Sequence, residues 1–587
     1  MPATCSSRKS LTAFSLMQTP GNGINISKIR KDYLHMQHTL NDVLRVTTDN
    51  YLASLDPANP PEPSVIEAEL LDNIQIELAL ENGTREKGNK FKCPQTLEFQ
   101  QIAKIVSYLY PVYRIETAGT NADTTYDLLA IYQSDGPDEG IYVTSDEVFR
   151  TLARQYNYKL TTREYNEFMT VLRDMVPRKS RCHEPNLIAV NNGIFDFDTK
   201  QLLPFTPELV FMAKSRINYN PNAQNITIHN PDDNTDWDVE SWMHSLSDDD
   251  DIVNTLWEVL GAIVRPNVPW NKSAWFYSET GNNGKGTLCE LMRQLCGDGS
   301  YASIPLSDMG KDFMLEPLTR ATAIIVDEND VGTYIDKAAN LKAIITNDAI
   351  SINRKFKQAL QYRFYGFMVQ CLNEMPRIKD KSDSFWRRQL FIPFNKCFTG
   401  AERKYIKHDY LHRIEVLEYI LYRVLHMTNY TLSEPDACKA ALEEYKEFND
   451  PVRQFVEEIL PKCAWDLLPF TFLYDLYRAW FGKCNPNGSL VGKNIFLKEF
   501  KNLVKDNPNW ICKTHIADGK VKDDNIRPLN RMDEPEYLIE EYQLTDWMNP
   551  LYMGGCNDWK RRCVPNLKTT YTGVLRATSS VNEDECA

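Results

Sequence analysis

Four runs of apolar residues between positions 273 and 394 set the frame of the chain. Ala274, Trp275, Phe276 and Tyr277 carry no charge, as in a strand buried on both faces. A glycine-rich polar turn follows, and from Leu288 to Leu295 the apolar positions take helical spacing. Residues 323–326 (AIIV), 366–372 (GFMVQCL) and 390–394 (LFIPF) repeat the uncharged pattern, and the first two of these stop at Asp327-Glu328 and at Asn373. Residues 350–358 (ISINRKFKQ) alternate up to Asn353 and then turn basic, which predicts a hairpin with a charged and aromatic tip. Strands interleaved with helices predict an α/β fold.

The flanks read differently. A short helix is expected over 29–46, a linker at PANPPEP (57–63), a helix over 64–81 and a polar, basic loop over 82–92. Residues 126–132 and 140–143 resemble strands around the turn SDGPDEG, and 186–205 a hairpin with Asn192-Gly193 as a type I′ turn. The acids Asp248 to Asp251 precede an apolar-periodic helix over 252–264, where they favour the positive end of its dipole. Helical patterns over 440–460, 472–481 and 495–505 follow. In the last, Phe496, Phe500, Leu503 and Val504 form an apolar stripe with Lys498, Lys501 and Lys505 outside it, as in a recognition helix and equally in any amphipathic surface helix. Beyond Pro550 a flexible tail is expected.

The domains read as an N-terminal segment over 1–94, an α/β domain over 95–245, a second α/β domain over 246–400, a helical C-terminal domain over 401–550 and the tail over 551–587. A length of 587 residues accommodates that many cores. The formal charge of −14 argues against a protein that coats nucleic acid with its whole surface, so any such contact is local. Fourteen cysteines without C-x-x-C pairs point to reduced thiols rather than a zinc ribbon. No window reads as a membrane span and the first residues lack the order of a secretory signal, so a cytoplasmic setting is expected.

The chemistry sits at the ends of the apolar runs. Gly281, Asn282, Asn283, Gly284, Lys285, Gly286 and Thr287 (GNNGKGT) join a strand to a helix, and glycines there let backbone N–H groups close around an anion at the helix N-terminus. Lys285 would reach the β- and γ-phosphates. The strict pattern G-x-x-x-x-G-K-[ST] is not met: Glu279 stands for the first glycine and Gly286 for the Mg²⁺-holding hydroxyl, which leaves Thr287 as the hydroxyl at hand. A strand ending in Asp327 and Glu328 is how P-loop ATPases deliver one carboxylate to Mg²⁺ and another to the attacking water. Asn373 suits an amide that orients this water, or the start of the turn before Pro376. Arg387-Arg388 offers an arginine for transition-state charge in a neighbouring subunit, or a surface ion pair. Asp123 and Asp127 are weighed as a two-metal pair of the primase kind, without a partner motif.

The order GNNGKGT, the strand ending Asp327-Glu328, SINRKFK, and CLNEMP followed by FWRRQLFIPF resembles the superfamily 3 helicases, the viral and mobile-element branch of the AAA+ ATPases, and within them the phage, plasmid and poxvirus primase–helicase group. NLIAVNNGIFDFDTKQLLPFTPELVF and DDDDIVNTLWEVLGAIV are similar to the domain that precedes the motor in the phage group. The resemblance implies an α/β multidomain protein with an AAA+ P-loop core and a winged-helix-like C-terminal domain. It implies ATP and Mg²⁺ as cofactors, with Thr287 and Asp327 toward the metal, and Lys285, Asp327, Glu328 and Asn373 as catalytic residues. It places the arginine finger at Arg388 and the DNA-binding hairpin at Lys355, Phe356 and Lys357.

The expected activity is ATP-dependent translocation on single-stranded and fork DNA by a hexameric ring, in replication of a phage or mobile element, with a separate primase as a possible partner. Two other readings stay open: an ATP-switched origin-binding or loader protein without unwinding, which Gly286 keeps alive, and a bifunctional primase–helicase.

Overall fold

A computed structural model describes residues 38–118, 123–335, 337–355, 357–400, 403–484, 490–505, 507–517, 520–552 and 558–577. They divide into two compact units, the first formed by the described residues up to Arg114 with Leu129–Ile131 and Thr144–Pro177, the second by the rest.

The first unit is mainly helical, with helices at Leu40–Ser54, Pro63–Gly83, Phe99–Leu109, Asp146–Tyr156 and Thr162–Met175. Thr39 caps the first through a reciprocal bond with Asp42, and Pro63 opens the second at a position where its missing N–H costs nothing. Ile66, Leu70, Ile74 and Leu78 recur at helical spacing and are buried. The predicted helix over 64–81 is therefore present; most of the one predicted over 29–46 lies outside the described residues.

In the second unit, strands Leu187–Val190, Gly193–Asp196 and Gln201–Leu203 form an antiparallel meander. The hairpin is as expected but its turn is one residue earlier: Val190 pairs with Gly193, so Asn191 and Asn192 make the turn, and neither has positive φ. Tertiary bonds fix it there. Asn191 Nδ2 donates to Asn218 Oδ1 at 2.9 Å, and Asn192 Oδ1 accepts from the Tyr219 N–H at 2.8 Å. The acids before the next helix, α1 (Asp250–Val264), act as expected, Asp249 accepting from the Asp251 N–H as N-cap.

A parallel sheet organises the middle of the second unit. Its strands are β1 (Ser273–Tyr277), β2 (Tyr301–Ala302), β3 (Ala323–Val326), β6 (Phe367–Leu372) and β7 (Gln389–Pro393), in the order β2-β3-β6-β1-β7. Between β3 and β6 the chain makes an antiparallel hairpin of β4 (Ala349–Arg354) and β5 (Lys357–Arg363). Alternate residues of the sheet face opposite cores. Ala274, Phe276, Ile325, Val369 and Ile392 face α1, α2 (Lys285–Cys296) and a helix further on; Trp275, Ile324, Met368 and Phe391 face α3 (Ala338–Ile345) and the hairpin residues Ile350, Ile352, Leu360 and Tyr362. Burial on both faces is why these strands carry no charge.

The fold built on this sheet does not end at residue 400. The short α4 (Lys404–His408), α5 (Ile414–Leu425) and α6 (Asp436–Phe448) belong to its cores. Val416, Leu417, Ile420, Leu421 and Val424 of α5 are buried with α1, and Tyr445 of α6 lies 4.6 Å from Phe391 and 5.8 Å from Trp275, ring centre to ring centre. The boundary expected at 400/401 is thus moved, because apolar faces of helices beyond it cover the sheet.

A separate core begins at Val452. The single helix expected over 440–460 is two, α6 and α7 (Pro451–Glu458), since Pro451 interrupts the first helix's hydrogen bonding and suits the start of the second. Then come β8 (Leu467–Pro469), α8 (Phe470–Cys484), α9 (Lys493–Lys505), β9 (Trp510–Cys512), a hairpin of β10 (Thr514–Ala517) and β11 (Lys520–Asp523), and β12 (Gly573–Arg576). The sheet order is β8-β12-β9, all antiparallel. A flexible tail from 551 is corrected here: β12 is the central strand, and Cys563 and Tyr571 are buried in the core. Among the described residues no helix is long and apolar enough to cross a membrane.

Candidate nucleotide site

In a parallel sheet with helices on its faces, ligands bind beyond the carboxyl ends of the strands. Three of the expected site segments leave the sheet at this edge. The phosphate loop follows β1, Asp327-Glu328 follows β3, and Asn373 follows β6, the strand paired between them.

The loop is shaped by its backbone. Gly284 caps α2 with φ +87°, and a Cβ there would stand 2.6 Å from Leu246, so both conformation and space require glycine. Asn282 is also left-handed at φ 53°, and its carbonyl accepts from the Phe398 N–H at 2.7 Å. Asn283 is buried, with Nδ2 on the Thr280 carbonyl and Oδ1 3.4 Å from the Lys285 N–H. Glu279, at the place of the usual first glycine, is exposed and accepts from the Tyr277 hydroxyl at 3.1 Å.

Lys285 is only 5% exposed, and its Nζ donates to Asn373 Oδ1 at 3.0 Å and to the Ser278 carbonyl at 3.4 Å. Burial pulls its pKa down, against the neighbouring Cys371 and Cys289. The amine and the amide, foreseen separately, are hydrogen-bonded to each other.

Asp327 is at the strand tip with its carboxylate on Arg293 of α2, 3.0 Å away. Burial raises its pKa, but the hydrogen bond and charge of Arg293, with a smaller contribution from Lys407, hold it below the usual carboxylate value. Glu328 is exposed, and Thr287 is half-buried in the first turn of α2. Carboxylate and hydroxyl oxygens are the donors that Mg²⁺ takes, so these residues suit the metal in kind, with Asp327 engaged by a cation.

Two site features were missed by sequence reading. Arg293 gave no signal beyond being a polar position on an amphipathic helix. Asn329 and Gln370 form a buried polar joint just behind the acids: Asn329 Nδ2 donates to Gln370 Oε1 and to the Cys371 carbonyl, both at 3.0 Å, and its Oδ1 accepts from the Leu306 N–H. The signal was there in Gln370, a lone amide inside an apolar strand.

Elsewhere the expected residues stand apart from this edge. Lys355 is exposed at the end of the β4–β5 hairpin, where Arg354 pairs with Lys357 across the strands. Phe356 and the Lys357 side chain lie outside the described residues. Asn353 Nδ2 donates to Asp312 Oδ1 at 2.8 Å, which ties β4 to the loop before β3. Arg388 precedes β7 at the opposite end of the sheet. Its Nη1 donates to the Ser384 carbonyl, its Nε is buried without a hydrogen-bond partner among the described residues, and burial together with Arg387 lowers its pKa.

The pair weighed as metal ligands does not share a site. Asp127 is buried on Arg178 at 2.9 Å, while Asp123 accepts from the N–H and hydroxyl of Thr125 as the cap of a short turn. On α9, Phe496, Phe500 and Val504 are buried, and Lys501 is paired with Asp523 at 2.6 Å, leaving Lys498 and Lys505 exposed.

Three family models match the chain. Residues 130–247 match "D5 N terminal like", 276–388 a family of unknown function (DUF5906), and 447–533 "Poxvirus D5 protein-like". A protein of frog virus 3 (isolate Goorha), 022R, provisionally named a helicase, is 23% identical over 248 residues, which are 38% of this chain and 25% of that protein. The chain thus spans about a quarter of the length of that relative. Among solved structures, an apo form of the NrS-1 C-terminal region is 13% identical with a TM-score of 0.37, covering 73% of this chain and 98% of that one. A second apo form is 12% identical with a TM-score of 0.38, covering 82% and 100%.

Proposed function

We infer that this chain, whose D5-type regions fit the phage and poxvirus primase–helicase group, is an ATP-dependent helicase that moves DNA for replication of a phage, virus or mobile element. The observation that carries the reading is the meeting of Lys285 and Asn373 at the carboxyl edge of the sheet, with the strand of Asp327 and Glu328 next in line. An ammonium group, glycine-shaped backbone and helix N-terminus in one place suit the phosphates of ATP. Thr287 and Asp327 would hold Mg²⁺, whose role is to neutralise phosphate charge. Lys285 steadies the terminal phosphates, Glu328 accepts a proton from water, and Asn373 orients that water.

In this reading the motor is an AAA+ core of superfamily 3. Arg388, remote from its own phosphate loop, serves the site of a neighbouring subunit in a hexameric ring. The β4–β5 hairpin lines the channel and carries single-stranded DNA by Lys355, Phe356 and Lys357, which also accounts for DNA binding by an acidic chain. The succession α7, β8, α8, α9, β9, hairpin and β12 supports a winged-helix-like C-terminal domain.

A second reading, ATP as an assembly switch without unwinding, is favoured by one observation: the Asp327 carboxylate is occupied by Arg293. The deciding experiment is steady-state ATP hydrolysis by the wild type and Lys285→Ala, with and without single-stranded DNA. DNA-stimulated turnover that is lost in the variant supports the motor. ATP binding without turnover in the wild type would give the switch the lead.

A further inference from the structure

Beside Gly286, the residue after Lys285, stands the amine of a second lysine, Lys407. The usual pattern has a hydroxyl side chain at this position. A Cβ added to Gly286 would have one heavy atom of another residue within 4 Å, the Nζ of Lys407 at 3.8 Å. Lys407 belongs to α4, which packs on α2, the helix that Lys285 begins. It is half-buried and has no hydrogen-bond or ion-pair partner among the described residues. Its charge also reaches Asp327 at the tip of β3. The amine thus comes in from a helix beyond the sheet and lies beside the first turn of α2.

An ammonium group cannot replace the missing hydroxyl as an oxygen ligand of Mg²⁺. It can replace part of what the metal does, because it offers donors and a fixed positive charge to phosphate oxygens. A serine or threonine at 286 would place its side chain toward the same amine, so a glycine at 286 and a lysine at 407 suit one another.

We propose that Lys407 is a second phosphate-contacting lysine of the nucleotide site, delivered by α4 through the space that Gly286 leaves open, and that its ligand is the terminal phosphates of a nucleoside triphosphate. The proposal rests on reading the loop as a nucleotide site. It gives α4 a direct link to the ligand, so that departure of the terminal phosphate uncouples α2 from the segment that follows the sheet.

The test is equilibrium binding of a fluorescent, non-hydrolysable ATP analogue and of fluorescent ADP to the full chain, at several Mg²⁺ concentrations and in EDTA. Lys407→Met is expected to weaken the analogue about tenfold or more and ADP less, with the larger loss at low Mg²⁺; Lys407→Arg is expected to keep most of the affinity. Labelling by an acyl-phosphate derivative of ATP, in which a lysine amine attacks the acyl carbon and the nucleotide leaves, is expected at Lys285 and Lys407 and to be blocked by excess ATP. Analogue binding within twofold of wild type in Lys407→Met, or labelling of Lys285 alone, would overturn the proposal while the nucleotide site stands. Unchanged binding in Lys285→Ala would overturn the nucleotide site and this proposal with it.

Discussion

The Nζ of Lys285 lies 3.0 Å from the Oδ1 of Asn373, so the first residue of α2 and the residue after β6 are hydrogen-bonded across the phosphate edge of the sheet. The bond positions an amine whose pKa burial lowers. Lys285→Ala is therefore expected to lose ATP hydrolysis and most nucleotide affinity. Asn373→Ala is expected to keep binding and lose about 100-fold in kcat, the scale of removing one positioned polar group. Steady-state kinetics together with nucleotide binding separate the two. Equal loss of affinity in both variants would show that Asn373 only props the lysine.

Arg293 and Asp327 form the second cross-link at this edge. The carboxylate is about two-fifths exposed, so solvent screens the pair and Arg293→Ala is expected to cost only about 1 kcal/mol. The sign of its pH dependence is fixed by the lowered pKa of Asp327. A carboxylate held below its unfolded value contributes stability that is present above about pH 3.9 and is lost as pH falls through the folded-state pKa. Thermal melting of wild type and Arg293→Ala across pH should show a gap at neutral pH that closes in acid. A gap that widens in acid would mean that the pair is not an ion pair in solution.

At the hairpin, Lys355→Ala is expected to weaken single-strand binding and unwinding while basal ATP hydrolysis persists. Removing one lysine–phosphate ion pair should lower the slope of log affinity against log salt by about 0.7 for single strands. Fluorescence anisotropy with a labelled oligonucleotide over a salt series reads this directly. An unchanged slope and affinity would remove Lys355 from the DNA path.

Much of the motor was legible because its signals are local. β1, β3 and β6 are buried on both faces and carry no charge, and the β4–β5 hairpin announces itself by alternation that ends in Arg354 and Lys355. What was not legible depends on distant partners. Nothing near Gly573 says that it will be built into a sheet between Leu467–Pro469 and Trp510–Cys512. The Asn191–Asn192 turn was misplaced by one residue because side-chain bonds to Asn218 and Tyr219 outweigh the Asn-Gly preference. Lys407 had no signal at all, since only the packing of α4 on α2 brings it to Gly286.

The motor's boundary is a matter of folding and can be tested without function. Tyr445 is fully buried against Trp275, Trp386 and Phe391. Tyr445→Ala is expected to destabilise the motor by about 3–5 kcal/mol, as for other large aromatic truncations. A fragment of residues 178–400, which lacks α5 and α6, should expose the faces they cover and aggregate, whereas 178–448 should be soluble with a cooperative melt. Equal solubility and melting of the two fragments would return the boundary to 400.

Arg388 sits before β7, at the end of the sheet away from its own phosphate loop, with Nη1 on the Ser384 carbonyl and Nε buried and unpartnered among the described residues. Burial and then Arg387 disfavour its charge, against Asp348 and Asp380 of its own chain, so it gains by meeting a further anion from outside the chain. If that anion is the phosphate of a neighbouring subunit, Arg388→Ala abolishes hydrolysis while each subunit still binds ATP. Mixing it with Lys285→Ala subunits then restores part of the activity, because an interface can draw its lysine from one subunit and its arginine from the other. Activity should rise and fall with the mixing ratio, peaking where mixed interfaces are most frequent. An inactive mixture at every ratio, with mixed assembly verified by tagged co-purification, would leave Arg388 acting within its own chain.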